Sequence, residues 1–386
     1  HNTGSYAVDI SGWYLSDDGD DVRKYLIPDG TPPIPPGGRH VFYAGTSFGS
    51  DPNDPVYFAL SEFGEHLYLS SAEGTILTSY RAWVKFGAAE NGTSFGRYLR
   101  SDGEVDFVAM HERTFGVDDP ASVAAFRTGT GLPNAQPRVG PVVINEIMYN
   151  PPATGKEFIE LYNITGASVP LFDPAFPTNT WSLDGAVEYE FPGDVWLAPG
   201  EHVLLTGVDP EAFREQFGLT NTTLQVFGPY RGDLSNGGES IKLYKPGDPE
   251  LDGLVPRIRV DRVKYDDSAP WPVAADNEGP SLERIIPGDY GNDPANWVAC
   301  TVGGTPGAPN NGGCAPSVGF VRTRDSGPET NETIAVELVL YPPVADTVTV
   351  HYVVGGTATA GADYSLHGGA AVFWPHDSRA VLALAV

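Results

Sequence analysis

Five short blocks occur twice, in one order, within the first 310 residues of the chain. The stretch 12–15 (GWYL) aligns with 180–183 (TWSL), and 34–41 (IPPGGRHV) with 197–203 (LAPGEHV). Further on, 60–69 (LSEFGEHLYL) aligns with 234–243 (LSNGGESIKL), 92–95 (GTSF) with 279–282 (GPSL), and 106–109 (DFVA) with 296–299 (NWVA). Both copies close on a turn rich in Gly, Pro and Asn, GLPNA and GTPGAPNN. A chain that repeats a set of blocks in order is committed to repeating one architecture.

Within each copy the physics is that of short antiparallel strands. A Pro-Gly turn precedes residues 40–43 and 202–205, and sets the bend before an apolar run. Leu67 and Leu69, like Ile241 and Leu243, alternate with polar residues, as half-buried strands do. Asn236-Gly237 suits a tight hairpin, because both residues tolerate positive φ. Only two helices are expected. One spans 209–218, with Asp209 as N-cap, Pro210 in the first turn and Gly218 at the end; the weaker one opens at Asp119-Pro120. The spacing of strands and turns predicts a sandwich or barrel.

Composition supports this. Gly 46 and Pro 35 make about a fifth of 386 residues, and aromatics are 11%, too many for a disordered chain. The net charge of −27 repels phosphate backbones and anionic lipid, so neither nucleic-acid binding nor membrane insertion is expected. No apolar run reaches spanning length. The two cysteines, Cys300 and Cys314, flank a turn-rich loop with no histidine nearby, which leaves no zinc set. A disulfide between them is the expected pairing, and implies an oxidising compartment; two buried free thiols are the alternative.

The second copy carries a recognisable opening. Residues 143–151 (VINEIMYNP) are followed by 157–163 (EFIELYN), and then by the later blocks at 197–200, 234–238 and 305–310. Over roughly 141–312 this resembles the lamin-tail domain family, which implies an immunoglobulin-like β-sandwich. The first copy resembles the same family without the two opening strands, with 1–4 corresponding to 162–166, so it reads as a truncated sandwich. From about 316 the pattern changes. The stretch 354–364 (VGGTATAGADY), with flanking strands at 348–352 and 371–375, resembles the Calx-β family. That resemblance implies calcium, with Glu329 and Asp363 as part of the site and a completing acidic loop beyond the last residue. The expected organisation is all-β: two immunoglobulin-like sandwiches, 1–135 and 136–314, and a partial third sandwich, 315–386.

Other motifs have simpler readings. Asp17, Asp18, Asp20 and Asp21 form an acidic hairpin loop, which is either a solvated turn or a cation site. Residues 92–96 fit Gly-x-Ser-x-Gly, but no helix follows to build a nucleophile elbow. Glu146 and Glu160 fall on adjacent strands, where the expectation is a structural role rather than acid–base catalysis. Arg231-Gly232-Asp233 is expected in a turn, and Asn91, Asn163, Asn221 and Asn331 head glycosylation sequons, with that of Asn163 incidental. The expected function is a non-catalytic structural or adhesive module, extracellular or at the cell surface, with protein or glycan partners, as in large bacterial surface proteins. The alternatives are an accessory region of a larger secreted enzyme and a subunit of a filament or surface layer.

Overall fold

The computed structural model describes residues 1–54, 56–117, 121–251, 253–276, 279–310, 316–321, 333–341, 343–359, 361, 363–366, 369–375 and 377–385. The chain is all-β apart from a few short helices. It divides into two compact units. One is His1–Tyr98 with Asp106–Arg138 and Pro246–Arg259; the other is Leu99–Val105 with Val139–Lys245 and Val260–Val386.

The second unit contains a two-sheet sandwich. One sheet runs in the order Arg231–Gly232, Val187–Glu190, Ser182–Gly185, Glu239–Pro246, Arg257–Tyr265. The other runs Gln225–Phe227, His202–Thr206, Phe158–Asn163, Val142–Met148, Leu282–Arg284, Trp297–Val298. Between them lies one apolar core that includes Ile147, Leu161, Trp181, Leu183, Leu205, Leu243, Val263 and Trp297.

The helix Pro210–Phe217 covers the outer face of the second sheet. Its start is set locally, because Asp209 accepts from the amides of Glu211 and Ala212, both at 3.1 Å. Its end is equally local, with Gly218 left-handed at φ 62°. Phe213 is fully buried from this helix against Met148, Phe158 and Leu204, a burial that contributes about 1.5–3 kcal/mol. The strands Val142–Met148 and Phe158–Asn163 are therefore covered on both faces, which is why Val142–Met148 is buried at every position.

The first unit repeats the first of these sheets. Its order is Tyr25–Leu26, Tyr14–Ser16, His66–Glu73, Ile76–Lys85. Leu15 pairs with Leu69 as Leu183 pairs with Leu243. The turn before the third strand is also shared. Gly64 donates to Ser61 and Gly238 to Ser235, with φ of 84° and 97°. A Cβ would lie 2.4 Å from the Phe86 carbonyl at Gly64 and 2.8 Å from that of Tyr265 at Gly238, so each copy needs glycine there. The positive φ falls on Gly238, one residue after the Asn236-Gly237 pair that the sequence singles out.

Asn2 and Asn163 make the same set of bonds. Asn163 Nδ2 donates to the carbonyls of Ala167 and Leu197, its amide donates to Glu201, and its carbonyl accepts from Gly200. Asn2 Nδ2 donates to Tyr6 and Ile34, its amide to Gly38, and its carbonyl accepts from Gly37.

The copies part at the second sheet. Residues 202–206 form a strand between two neighbours, whereas 40–43, with matching sequence, form no ladder. A strand needs a partner for its backbone groups, and among the described residues no strand lies alongside 40–43 as Phe158–Asn163 lies alongside His202–Thr206. Trp181 is accordingly buried in its core, while Trp13 is half-buried against Ile10, Ile27, Ile34 and the Tyr80 ring.

Within the second unit, residues from 317 onward build two small sheets, Ser317–Phe320, Thr333–Tyr341, Arg379–Ala385, Ser365–Leu366 and Val348–His351, Ala370–Phe373. They pack Leu338, Leu340, Ala371 and Phe373 between them. The expected strands at 348–352 and 371–375 appear as Val348–His351 and Ala370–Phe373. The weaker expected helix is one turn, Val123–Phe126 capped by Ser122; Asp119 and Pro120 lie outside the described residues.

Candidate functional site

The strands Val142–Met148 and Phe158–Asn163 put Glu146 directly opposite Glu160, and both carboxylates are fully buried. An ionised carboxylate without partners is very costly in such a place, so each oxygen has to be matched. Glu146 Oε1 accepts from Ser281 Oγ at 2.5 Å and the Thr305 amide at 2.7 Å, and Oε2 from Thr305 Oγ1 at 3.1 Å. Glu160 Oε1 accepts from Asn145 Nδ2 at 2.9 Å and lies 2.7 Å from His202 Nδ1, while Oε2 accepts from the Gly307 amide at 2.7 Å. The pair thus fastens the terminal Thr305-Pro306-Gly307 turn onto the central strands. Gly304 has φ 75°, and a Cβ there would sit 2.5 Å from Glu146 Oε1, so the turn closes over the carboxylate only as glycine.

Burial pushes the Glu146 carboxyl up to about 8, with the neighbouring Glu160 charge adding to the rise and the Ser281 and Thr305 bonds opposing it. Burial also raises Glu283, on the next strand, whose Oε1 accepts from the Thr301 amide at 3.1 Å.

A second buried constellation sits beside the first. The register of the central pair shifts between Ile144 and Glu146, a bulge that takes main-chain groups out of the ladder. Asp261 Oδ2 accepts the Ile144 amide at 2.9 Å, and Arg284 Nη1 donates to the Ile144 carbonyl at 2.9 Å and to Asp261 at 2.7 Å. Asn310 Nδ2 donates to the carbonyls of Asn145 and Arg284, at 2.8 and 3.1 Å. Arg284 is fully buried.

Chemically, this arrangement holds a proton and ties distant segments together. Acid–base catalysis needs carboxylates that reach a substrate, and these have no exposed surface. A continuous apolar strand such as 142–148 signals burial on both faces, and a glutamate inside it must then be buried. Nothing local identifies Ser281 and Thr305 as the partners of Glu146, Gly307 as a partner of Glu160, or Asp261 and Arg284 as those of the bulge at Ile144.

The remaining sequence-derived residues do not assemble into a site. Glu329 lies outside the described residues. Asp363 is exposed and closes its own loop: its Oδ2 accepts the Thr359 amide at 2.7 Å, and its amide donates to the Thr359 carbonyl at 2.9 Å. Cys314 lies outside the described residues, so the Cys300–Cys314 pairing falls there too. Lys24 Nζ lies 2.6 Å from Asp17, and Asp18 accepts the Asp20 amide, so the acidic loop is held as a turn. No cluster of three or more His, Cys, Asp or Glu suited to a metal occurs among the described residues.

Ser94 Oγ donates to the Glu112 carbonyl at 3.2 Å, at the start of the strand Phe95–Leu99 and not at an elbow before a helix. Arg231 and Gly232 form an edge strand on Val187–Glu190, with Arg231 3.0 Å from Glu188, rather than the expected turn, because their backbone finds a ladder partner. Asn163 is fully buried with its amide donating to main-chain carbonyls, which rules it out as a glycan acceptor in the folded state. Asn91 and Asn221 are exposed, and Asn331 lies outside the described residues. Among the described residues, no helix is long and apolar enough to cross a membrane.

No curated protein matches the chain. The paired glutamates, His202 and the bulge at Asn145 all fall in a segment that does have a match. Residues 135–266 fit the family model of the Lamin Tail Domain, an immunoglobulin-like, non-catalytic fold family.

Proposed function

We propose that this chain is a non-catalytic structural and interaction module of an extracellular or cell-surface protein, made of two lamin-tail-type sandwiches and a Calx-β-like part. The observation that carries the reading is the fate of Glu146 and Glu160. The residues best suited to acid–base chemistry are sealed and spent on holding the fold together. What the sandwich offers outward is surface. Along the strand Ile76–Lys85, Ile76, Tyr80 and Trp83 are exposed, and exposed aromatics of this kind suit protein or glycan partners. The test is a screen of ester, phosphoester and glycoside hydrolysis with the wild-type chain and with Glu146→Gln and Glu160→Gln. No turnover is expected; turnover lost in either variant would overturn the reading.

The calcium and disulfide parts rest on the resemblance at 316–386 and on the placement of Cys300 and Cys314. Thr333 and Ser365 both pair with Ala385, so the strands that follow Glu329 and Asp363 begin at one end of their sheet. A shared cation would need both loops at one end, and this pairing supports that reading. Thermal unfolding is expected to respond to calcium at about 5 mM by no more than a few degrees, as a millimolar site would. Asp363→Asn should abolish that response. Reductant should lower the midpoint, since closing a loop of this size contributes roughly 3 kcal/mol. A calcium response untouched by Asp363→Asn removes that residue from the site, and indifference to reductant removes the bridge.

A further inference from the structure

The four-stranded sheet of the first unit turns one face to an apolar core and the other outward. Leu15, Leu67 and Leu69 pack inward, so His66 and Tyr68, which alternate with them on the strand His66–Glu73, point outward. Trp83 stands directly opposite Tyr68 on the neighbouring strand, and Lys85 opposite His66. Three rings therefore gather on the outer face. The His66 ring lies 6.1 Å from that of Tyr68, 19° from parallel, and 5.8 Å from that of Trp83. Trp83 is 57% exposed, which is unusual for a tryptophan.

The second unit shows that the architecture does not ask for aromatics at these places. In the shared block His66 and Tyr68 correspond to Ser240 and Lys242. Phe86 and Tyr265 lie over the equivalent glycines, Gly64 and Gly238, which makes Arg262 the counterpart of Trp83. One sheet face is thus polar in one copy and aromatic in the other. The flanks of the aromatic face carry both signs of charge. Arg81 and Lys85 stand two residues to either side of Trp83 on its strand, and both are exposed. On the opposite flank the acidic turn at 17–21 reaches Tyr68, since a Cβ on Gly19 would lie 2.7 Å from the Tyr68 hydroxyl. Lys24 takes up Asp17 in that turn, while Asp20 and Asp21 are exposed.

We propose that this outer face binds a neutral polysaccharide, with sugar rings stacked on Trp83, Tyr68 and His66. A sugar ring presents C–H groups on its faces and hydroxyls around its rim. It therefore takes an aromatic ring against a face, while its rim calls for donors and acceptors together. Arg81 and Lys85 are the donors on one flank, and the carboxylates of the 17–21 turn are the acceptors on the other. A polyanion would meet that acidic turn and a net charge of −27, and a polycation would meet Arg81 and Lys85. A protein partner ordinarily covers about 800 Å² around an apolar centre, whereas charge closes in on these three rings from both sides. Arg81 and Lys85 are about 13 Å apart along the strand, a span that suits several linked sugars rather than one. The proposal deepens the reading of this protein as an interaction module, and rests on it, by choosing the glycan over the protein partner.

The experiment titrates the full chain by calorimetry with cellohexaose, xylohexaose, mannohexaose and laminarihexaose, and with polygalacturonate as the polyanion. At least one neutral hexasaccharide is expected to bind with a Kd below about 1 mM and to be recovered uncleaved. Trp83→Ala should weaken that binding at least about tenfold, and Trp83→Phe, which keeps a ring, should retain most of it. Trp83→Arg repeats the loss with the side chain that the second copy carries at this place, should the alanine variant fail to fold. Absence of binding by all four neutral sugars at about 5 mM overturns the proposal. So does binding that Trp83→Ala and Trp83→Arg leave unchanged, or a preference for polygalacturonate. Self-association of the protein that the same variants abolish would assign the face to a second copy and overturn it too. Cleavage of a bound hexasaccharide would strike the non-catalytic reading instead, and leave the binding face standing.

Discussion

Arg284→Ala is expected to destabilise the second unit by about 3–5 kcal/mol, the usual cost of removing one partner from a buried ion pair. The argument is one of orphaned groups. Arg284 has no exposed surface and donates to Asp261, the Ile144 carbonyl and the Asp289 carbonyl. Its loss leaves the Asp261 carboxylate buried without a cation. It also leaves the bulge at Ile144 with an unmet carbonyl. Denaturant unfolding, followed through the buried Trp181, Trp271 and Trp297, measures the loss. Adding Asp261→Asn to Arg284→Ala should recover part of it, because the second change removes the orphaned charge. A loss below about 1 kcal/mol would show that water reaches the pair.

The second unit should also lose stability as pH rises from about 5 to 8, contrary to the usual behaviour of a carboxylate. Burial holds Glu146 protonated up to about 8, well above its ordinary value of 4.5. Between those values the folded chain binds a proton that the unfolded chain has released. Stability is then fully present below the unfolded value and falls as pH climbs toward the folded one, with a slope of at most about 1.4 kcal/mol per pH unit for one proton. Above about 8 the contribution is flat. Repulsion within a chain of net charge −27 slopes the same way, so the informative quantity is a difference between variants. Glu146→Gln keeps the size and one acceptor but cannot titrate. Its unfolding midpoint should depend less steeply on pH than that of the wild type across this window. Parallel profiles for the two proteins would sink the assignment of the proton to Glu146.

These two constellations show where reading along the chain stops. The helix at 210–217 was legible because its signals are local: Asp209, Pro210 and Gly218 act within a turn of the backbone they cap. The tight turn of the second copy was legible to within one residue: the sequence singles out Asn236-Gly237, while the positive φ falls on Gly238, where the backbone leaves no room for a Cβ. The order of the blocks carried further, to two sheets with one strand order and with Leu15–Leu69 and Leu183–Leu243 in the same register.

Burial of charge was not legible in this way. Glu146 meets Ser281 and Thr305, 135 and 159 residues away, and Arg284 meets Ile144 across 140. No local pattern encodes such partners; only the closing of the sandwich brings them within hydrogen-bond reach. The same holds for residues 40–43, whose sequence matches a strand yet forms none, and for Arg231 and Gly232, whose turn-like sequence forms an edge strand. Turns and caps answer to neighbours in sequence, and there the amino acids decided the outcome by themselves. Strand membership and the ionisation of buried carboxylates answer to neighbours in space, which only the tertiary structure supplies.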